Sequence, residues 1–152
     1  MSKDKRAIWH ESGHAVVALS LGFPSADILF KNGNLEATHV FARVSEVPTR
    51  RVCVLLTAGA AAEKLIFGGY SPAGSSADAA RISELGGTMI EDYLAEATGV
   101  LEAHRPELQS VFQGLRESYT RRLLGGRPSV CVLMSAEEVV AAYGAGALAR
   151  KA

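Results

Sequence analysis

His10 and His14 stand four residues apart with Glu11 beside the first of them, in the stretch Trp9-His10-Glu11-Ser12-Gly13-His14-Ala15. On a helix, residues four apart share a face, so the two imidazoles can converge on one metal ion. Glu11 lies about 100° further round, where it can touch a water held by that ion without ligating the ion itself. Gly13 has no side chain, so another segment can approach the helix closely there, at a helix-propensity cost of about 1 kcal/mol. Two histidines are too few for a catalytic zinc, which takes three protein ligands and keeps a fourth position for water. The rest of the chain has to bring a third ligand to this helix.

The helix itself is expected from Ser2, a capping residue with Asp4 in the first turn, to Leu21, where Gly22-Phe23-Pro24 stops it. Ala26-Asp27-Ile28-Leu29-Phe30 and the run 35–44 read as two strands joined by a turn at Lys31-Asn32-Gly33-Asn34, because Asn-Gly between β-prone runs marks a hairpin. Pro48 opens a second helix over 49–67, ended by Gly68-Gly69. Its Ala58-Gly59-Ala60-Ala61-Ala62 section is small enough for another helix to lie tightly against it. Val52, Leu56, Gly59, Glu63 and Ile66 share one stripe of that helix, and a carboxylate in an apolar stripe needs a partner if buried. After a loop over 68–76, Ser75 or Ser76 caps a third helix containing Asp78, Arg81, Ile82 and Leu85. A fourth helix is expected over 88–104 and a fifth over 107–124, broken by Gly125-Gly126-Arg127-Pro128. Ser135-Ala136-Glu137-Glu138 is a capping box that starts a short last helix through Tyr143, with a frayed tail from Gly144.

This pattern is mainly α with a small β-sheet or hairpin, an α+β class in which the His-Glu-x-x-His helix packs on a helical bundle. At 152 residues the chain fits a single domain, 1–152, with a real core. Its 16 basic and 16 acidic residues balance without a long basic block, so nothing points to a nucleic-acid or anionic-membrane partner. The longest apolar runs, 15–23 and 52–62, fall short of the roughly 18 to 20 residues that a membrane span needs. No charged-then-apolar leader precedes the motif, and Cys53 and Cys131 have no metal-type spacing. A soluble, cytoplasmic chain with free thiols is expected.

Four residues compete to be the third ligand. Asp78 opens a helix after a flexible loop, well placed to point inward, although a carboxylate there also serves the helix dipole. Glu63 is the rival; its other reading is a residue that accepts a proton from a ligand histidine. His39 falls on the hairpin, where a strand histidine is the plainer reading. His104 sits at a helix end, where it suits the helix dipole. Spacing does not separate Asp78 from Glu63.

A family resemblance does. Lys5-Arg6-Ala7-Ile8-Trp9-His10-Glu11-Ser12-Gly13-His14-Ala15 resembles the His-Glu-x-Gly-His-Ala segment of the peptidase domain of FtsH-type AAA metalloproteases. Ala58-Gly59-Ala60-Ala61-Ala62-Glu63-Lys64-Leu65-Ile66-Phe67-Gly68 is similar to that family's Gly-Gly-Arg-x-Ala-Glu-x-x-x-Phe-Gly helix. Gly74-Ser75-Ser76-Ala77-Asp78-Ala79-Ala80 is similar to its Gly-Ala-x-x-Asp-Leu-x-x-Ala, whose aspartate is the third zinc ligand. Val100-Leu101-Glu102-Ala103-His104-Arg105-Pro106-Glu107-Leu108, with Leu133-Met134-Ser135-Ala136-Glu137-Glu138, is similar to the late helical pair. The resemblance implies that Asp78 ligates zinc with His10 and His14, and that Glu63 supports a ligand histidine.

The departures from the family matter as well. No Gly-x-x-x-x-Gly-Lys-Ser/Thr sequence occurs, so no ATP-driven unfolding module is expected in this chain. Ala58-Gly59-Ala60 replaces Gly-Gly-Arg, and the link Ser45-Glu46-Val47-Pro48 is short. The function implied is that of a zinc-dependent endopeptidase without its own ATPase, with Glu11 as the general base for water attack on an amide. A peptide substrate is expected to add to the hairpin edge at Leu35, Ala37 and Thr38. Peptides and unfolded polypeptides, or a substrate brought by a separate delivery partner, fit a site that has no motor; the oligomeric state stays open. The alternatives are a catalytically silent metal-binding regulatory or interaction domain, and a hydrolase of non-peptide amides. A general base at Glu11 favours an enzyme.

Overall fold

The computed structural model describes residues 3–37, 49–85, 90–124, 126 and 129–151. Six helices and three strands follow in the order α1 (Lys3–Ser20), β1 (Ile28–Lys31), β2 (Asn34–Ala37), α2 (Thr49–Phe67), α3 (Pro72–Glu84), α4 (Ile90–Ala103), α5 (Arg105–Leu123), β3 (Val130–Met134) and α6 (Ala136–Lys151) among the described residues. The class is the expected one: mainly helical, with a small antiparallel sheet.

The metal-motif helix α1 is central. It packs chiefly on α2 and then on α5, and its consecutive residues face different neighbours because each turns about 100° from the last. Trp9 stacks on Phe112 of α5 with ring centroids 3.7 Å apart, while His10 and His14 turn toward α2 and α3. The small residues explain how α1 and α2 come together. A Cβ at Gly13 would lie 2.6 Å from the Ala58 carbonyl oxygen and from the Ala62 Cβ, so only glycine allows this approach. Val16, Val17, Val52, Val54, Leu55, Leu101, Leu108 and Leu115 fill the continuous core around this contact.

The hairpin turn is built as its sequence demands. Asn32 and Gly33 have φ of 51° and 86°, the paired positive values of a two-residue turn between Lys31 and Asn34. The described part of the second strand is Asn34–Ala37; the rest of the expected run, with Thr38 and His39, lies outside the described residues. β1 occupies the middle of the sheet, paired on one side with β2 and on the other with β3.

Three sequence expectations change. β3 was not anticipated: it follows a Gly/Pro break, and its exposed Val130 and Val132 and buried Leu133 and Met134 do not alternate cleanly. The Ser118 hydroxyl of α5 donates to its Leu133 carbonyl and holds it in place. α3 begins at Pro72 rather than Ser75 or Ser76, because proline suits a first helical position, where its missing N–H has no helical partner to lose. α6 keeps its capping box, with Ser135 N–H donating to Glu138 Oε1 and Glu138 N–H to Ser135 Oγ, both at 3.2 Å. It runs on to Lys151 instead of fraying at Gly144. Gly146 there packs on the backbone of Pro106 and Glu107, and Arg150 Nη2 comes within 3.0 Å of the buried Glu107 carboxylate. No helix among the described residues is long and apolar enough to cross a membrane.

Candidate metal centre

Two elements bring three atoms to one point. α1 supplies His10 Nε2 and His14 Nε2, which lie 3.2 Å apart. From α3, Asp78 Oδ2 comes within 3.4 Å of the first and 3.3 Å of the second. Ligands about 2.0–2.1 Å from a tetrahedral metal lie about 3.3–3.4 Å from one another, so the three separations match three corners of one coordination tetrahedron. His10 and His14 are buried, and Asp78 is partly exposed, leaving a way in from solvent. Asp78 thus stands with the two Nε2 atoms, and Glu63 stands on the far side of His10, at its Nδ1.

The outer nitrogens of both rings are committed elsewhere. His14 Nδ1 lies 2.9 Å from the Leu55 carbonyl oxygen. A carbonyl only accepts, so Nδ1 carries the proton, and Nε2 of the neutral ring has a lone pair facing the centre. His10 Nδ1 lies 2.8 Å from Glu63 Oε1, the carboxylate–histidine arrangement that orients a ligand ring and raises its basicity. Two imidazole nitrogens and a carboxylate oxygen thus meet at one point, an arrangement that could hold a metal ion. The nitrogen and oxygen donors and their spacing fit zinc.

Without a metal, a proton can take that place. Burial alone would lower the His10 pKa, but its hydrogen bonds to Asp78 and Glu63 and the charge of Glu11 outweigh burial and raise it to about 10. Burial would raise the Asp78 pKa, yet its bonds to the two histidines hold its carboxyl well below the usual range. Glu63 behaves alike: hydrogen bonds from His10, Arg6 and the Ser71 amide overcome burial and keep it ionised.

Glu11 is buried beside the histidines without joining the three converging atoms. Burial pushes its pKa up, against the pull of His14, His10 and the Ala37 N–H, the direction a general base needs. The Ala37 N–H donates to Glu11 Oε2 at 2.9 Å. Ala37 and Leu35 both lie on β2, at an end of the sheet order, so the strand that borders the site also fixes its candidate base. Beyond Asp78 a cavity of about 220 Å³ opens between α2, α3 and α4, with walls that include Leu56, Ala60, Ile82 and Leu94.

The sequence places Gly59 in a small-residue section of α2, and the structure gives it a further role. A Cβ there would lie 2.2 Å from His10 Nε2, so the ring occupies the space that any side chain at position 59 would take. The signal was present: glycine in a helix interior is worse than alanine by about 1 kcal/mol, and here four alanines surround it. Arg6 and Ser71, the other partners of Glu63, carried no such mark in the sequence. No protein-family model matches the chain, and no curated protein matches it.

Two outcomes follow. Gly59→Ala should displace the His10 ring and weaken zinc binding by more than the about 10- to 100-fold typical of losing a supporting hydrogen bond, measured by competition with a chelating dye. His10, raised to about 10, holds a proton near neutral pH that zinc must displace. Zinc affinity should therefore climb about tenfold per pH unit between about pH 7 and 9, with about one proton released per ion, read by calorimetry in buffers of different ionisation enthalpy. The same shift makes His10 protonation stabilise the metal-free fold below the unfolded value of 6.5, a contribution lost as pH rises through about 10.

Proposed function

We propose that this chain is a zinc-dependent endopeptidase of the kind that the FtsH-type peptidase domain represents. The observation that carries the proposal is the convergence of His10 Nε2, His14 Nε2 and Asp78 Oδ2 within 3.2–3.4 Å, with the buried carboxylate of Glu11 beside them. His10, His14 and Asp78 would hold a zinc ion, which would supply Lewis acidity toward a water and a carbonyl oxygen near neutral pH.

The chain's own residues do the rest. Glu11 takes the proton of the attacking water and returns it to the leaving amine. The Ala37 N–H holds one carboxylate oxygen of Glu11 and leaves the other for that transfer. Glu63 fixes the His10 ring through Nδ1, and the Leu55 carbonyl fixes His14 in the same way. A peptide laid along β2 in the extended form would run beside the site, and the apolar cavity past Asp78 could receive one of its side chains. An extended segment is needed for that fit, which makes peptides and unstructured polypeptides the proposed substrates. Glu11 also argues against a purely structural metal site, which has no use for a buried base beside its ligands.

The test is cleavage of a denatured protein by the purified chain, with zinc content measured alongside. Cleavage should require zinc, stop with a chelator, and fall by at least about 100-fold in Glu11→Gln while bound zinc is unchanged. Stoichiometric zinc with no cleavage of any peptide library would instead favour a silent metal-binding domain. Asp78→Asn should lose more zinc affinity than Glu63→Gln; the reverse order would overturn the ligand assignment.

A further inference from the structure

Glu63 is almost wholly buried, and its two oxygens serve different neighbours. Oε1 accepts from His10 Nδ1 at 2.8 Å. Oε2 accepts from Arg6 Nη1 at 2.8 Å and from the Ser71 N–H at 2.9 Å. Arg6 does more than neutralise this carboxylate. The same nitrogen donates to the Gly69 carbonyl oxygen at 3.1 Å, and the guanidinium lies 4.6 Å from the centroid of the Phe67 ring. Phe67 is the last residue of α2, Gly69 and Ser71 lie in the linker, and Pro72 opens α3.

One arginine on the metal-motif helix therefore holds the end of α2, the linker after it, and the carboxylate that orients His10. Asp78 depends on that linker. α3 packs chiefly on α2, so the place where the linker delivers its first turn decides how far Asp78 reaches toward the histidines. The His10–Asp78 and His14–Asp78 separations of 3.4 and 3.3 Å leave little room for α3 to shift before the tetrahedral spacing fails.

We propose that Arg6 is a positioning residue of the metal centre, holding His10 and Asp78 in register through Glu63 and the linker 68–71. The proposal rests on the reading of His10, His14 and Asp78 as metal ligands, and it does not require the chain to be a peptidase. Arg6 touches neither ligand nor reacting atom. Its side chain is about one-third exposed, so its removal leaves the core intact while stripping a cation from a buried carboxylate, whose other partners are His10 and one amide. Lysine at position 6 restores the charge, but not the planar group that lies over Phe67 while bridging Glu63 and Gly69.

The experiment measures metal binding, not turnover. Arg6→Ala and Arg6→Lys are purified metal-free, checked for native circular dichroism, and titrated with zinc and with cobalt(II). Arg6→Ala should raise the zinc Kd by about 10- to 100-fold and change the visible cobalt spectrum, because the carboxylate ligand moves. Arg6→Lys should fall between wild type and Arg6→Ala in both readouts. In a Glu63→Gln background, Arg6→Ala should add little, because the neutral amide no longer needs the cation; that non-additivity separates coupling through Glu63 from general destabilisation. Wild-type zinc Kd and cobalt spectra in both variants would overturn the proposal, as would full additivity with Glu63→Gln. If Arg6→Ala does not fold, a wild-type Kd and spectrum in Arg6→Lys overturns it alone. Failure of the wild-type chain to bind zinc or cobalt overturns this proposal together with the ligand reading. Metal binding with no cleavage overturns the peptidase reading, and the Arg6 titrations still decide the positioning role.

Discussion

Three proton-accepting atoms meeting within 3.4 Å of one another are a standing electrostatic problem, and much of this structure can be understood as its solution. Lone pairs at that distance repel unless positive charge lies among them. A proton on His10 supplies it in the metal-free chain, and a divalent ion supplies more. The convergence is held from outside: the Leu55 carbonyl fixes one ring, Glu63 fixes the other, and α3 presses Asp78 in from the third side. Because every support is itself buried or bonded, the donors stand ready before an ion arrives, and ligand reorganisation takes little from the binding energy.

The same requirement explains the small residues of α1 and α2. Rings on α1 can accept support from α2 only if the two helices nearly touch, and side chains would keep them apart. Gly13 admits the backbone of α2, and Gly59 admits the His10 ring. Both glycines weaken their helices locally, and close packing over valine and leucine offsets that loss. The sheet is tied in less directly: β2 meets α1 through the Ala37 N–H and Glu11. A substrate strand settling on this edge would lie next to the group that holds the proposed base, so binding and catalysis would share one short element.

Much of this was legible in the sequence because it depends on spacing. A four-residue spacing of the histidines fixes a shared helix face, Asn32-Gly33 fixes a turn, and Ser135 with Glu138 fixes a cap. Glu63 in an apolar stripe announced the need for a partner, and the structure supplies three, His10, Arg6 and the Ser71 N–H. What was not legible depends on tertiary placement. Nothing in the spacing distinguished Asp78 from Glu63, since either carboxylate could reach the helix; only the resemblance did, and the geometry now places Asp78 at the centre and Glu63 behind His10. β3 was missed because its pairing with β1 is distant in sequence, and the end of α6 because the stretch from Gly144 reads as a frayed tail, whereas Gly146 fits against the backbone of α5. Nothing in the sequence marks Arg6 as a partner of Glu63, because the two meet only through the packing of α1 on α2.

The central claim is that His10, His14 and Asp78 form one tetrahedral zinc site with a position open to water. X-ray absorption at the zinc edge of the stoichiometrically loaded protein tests it most directly. The account predicts four nitrogen or oxygen neighbours at about 2.0–2.1 Å, with the outer-shell scattering of two imidazoles and no sulfur. A sulfur neighbour at about 2.3 Å, a single imidazole, or a six-oxygen shell would contradict it.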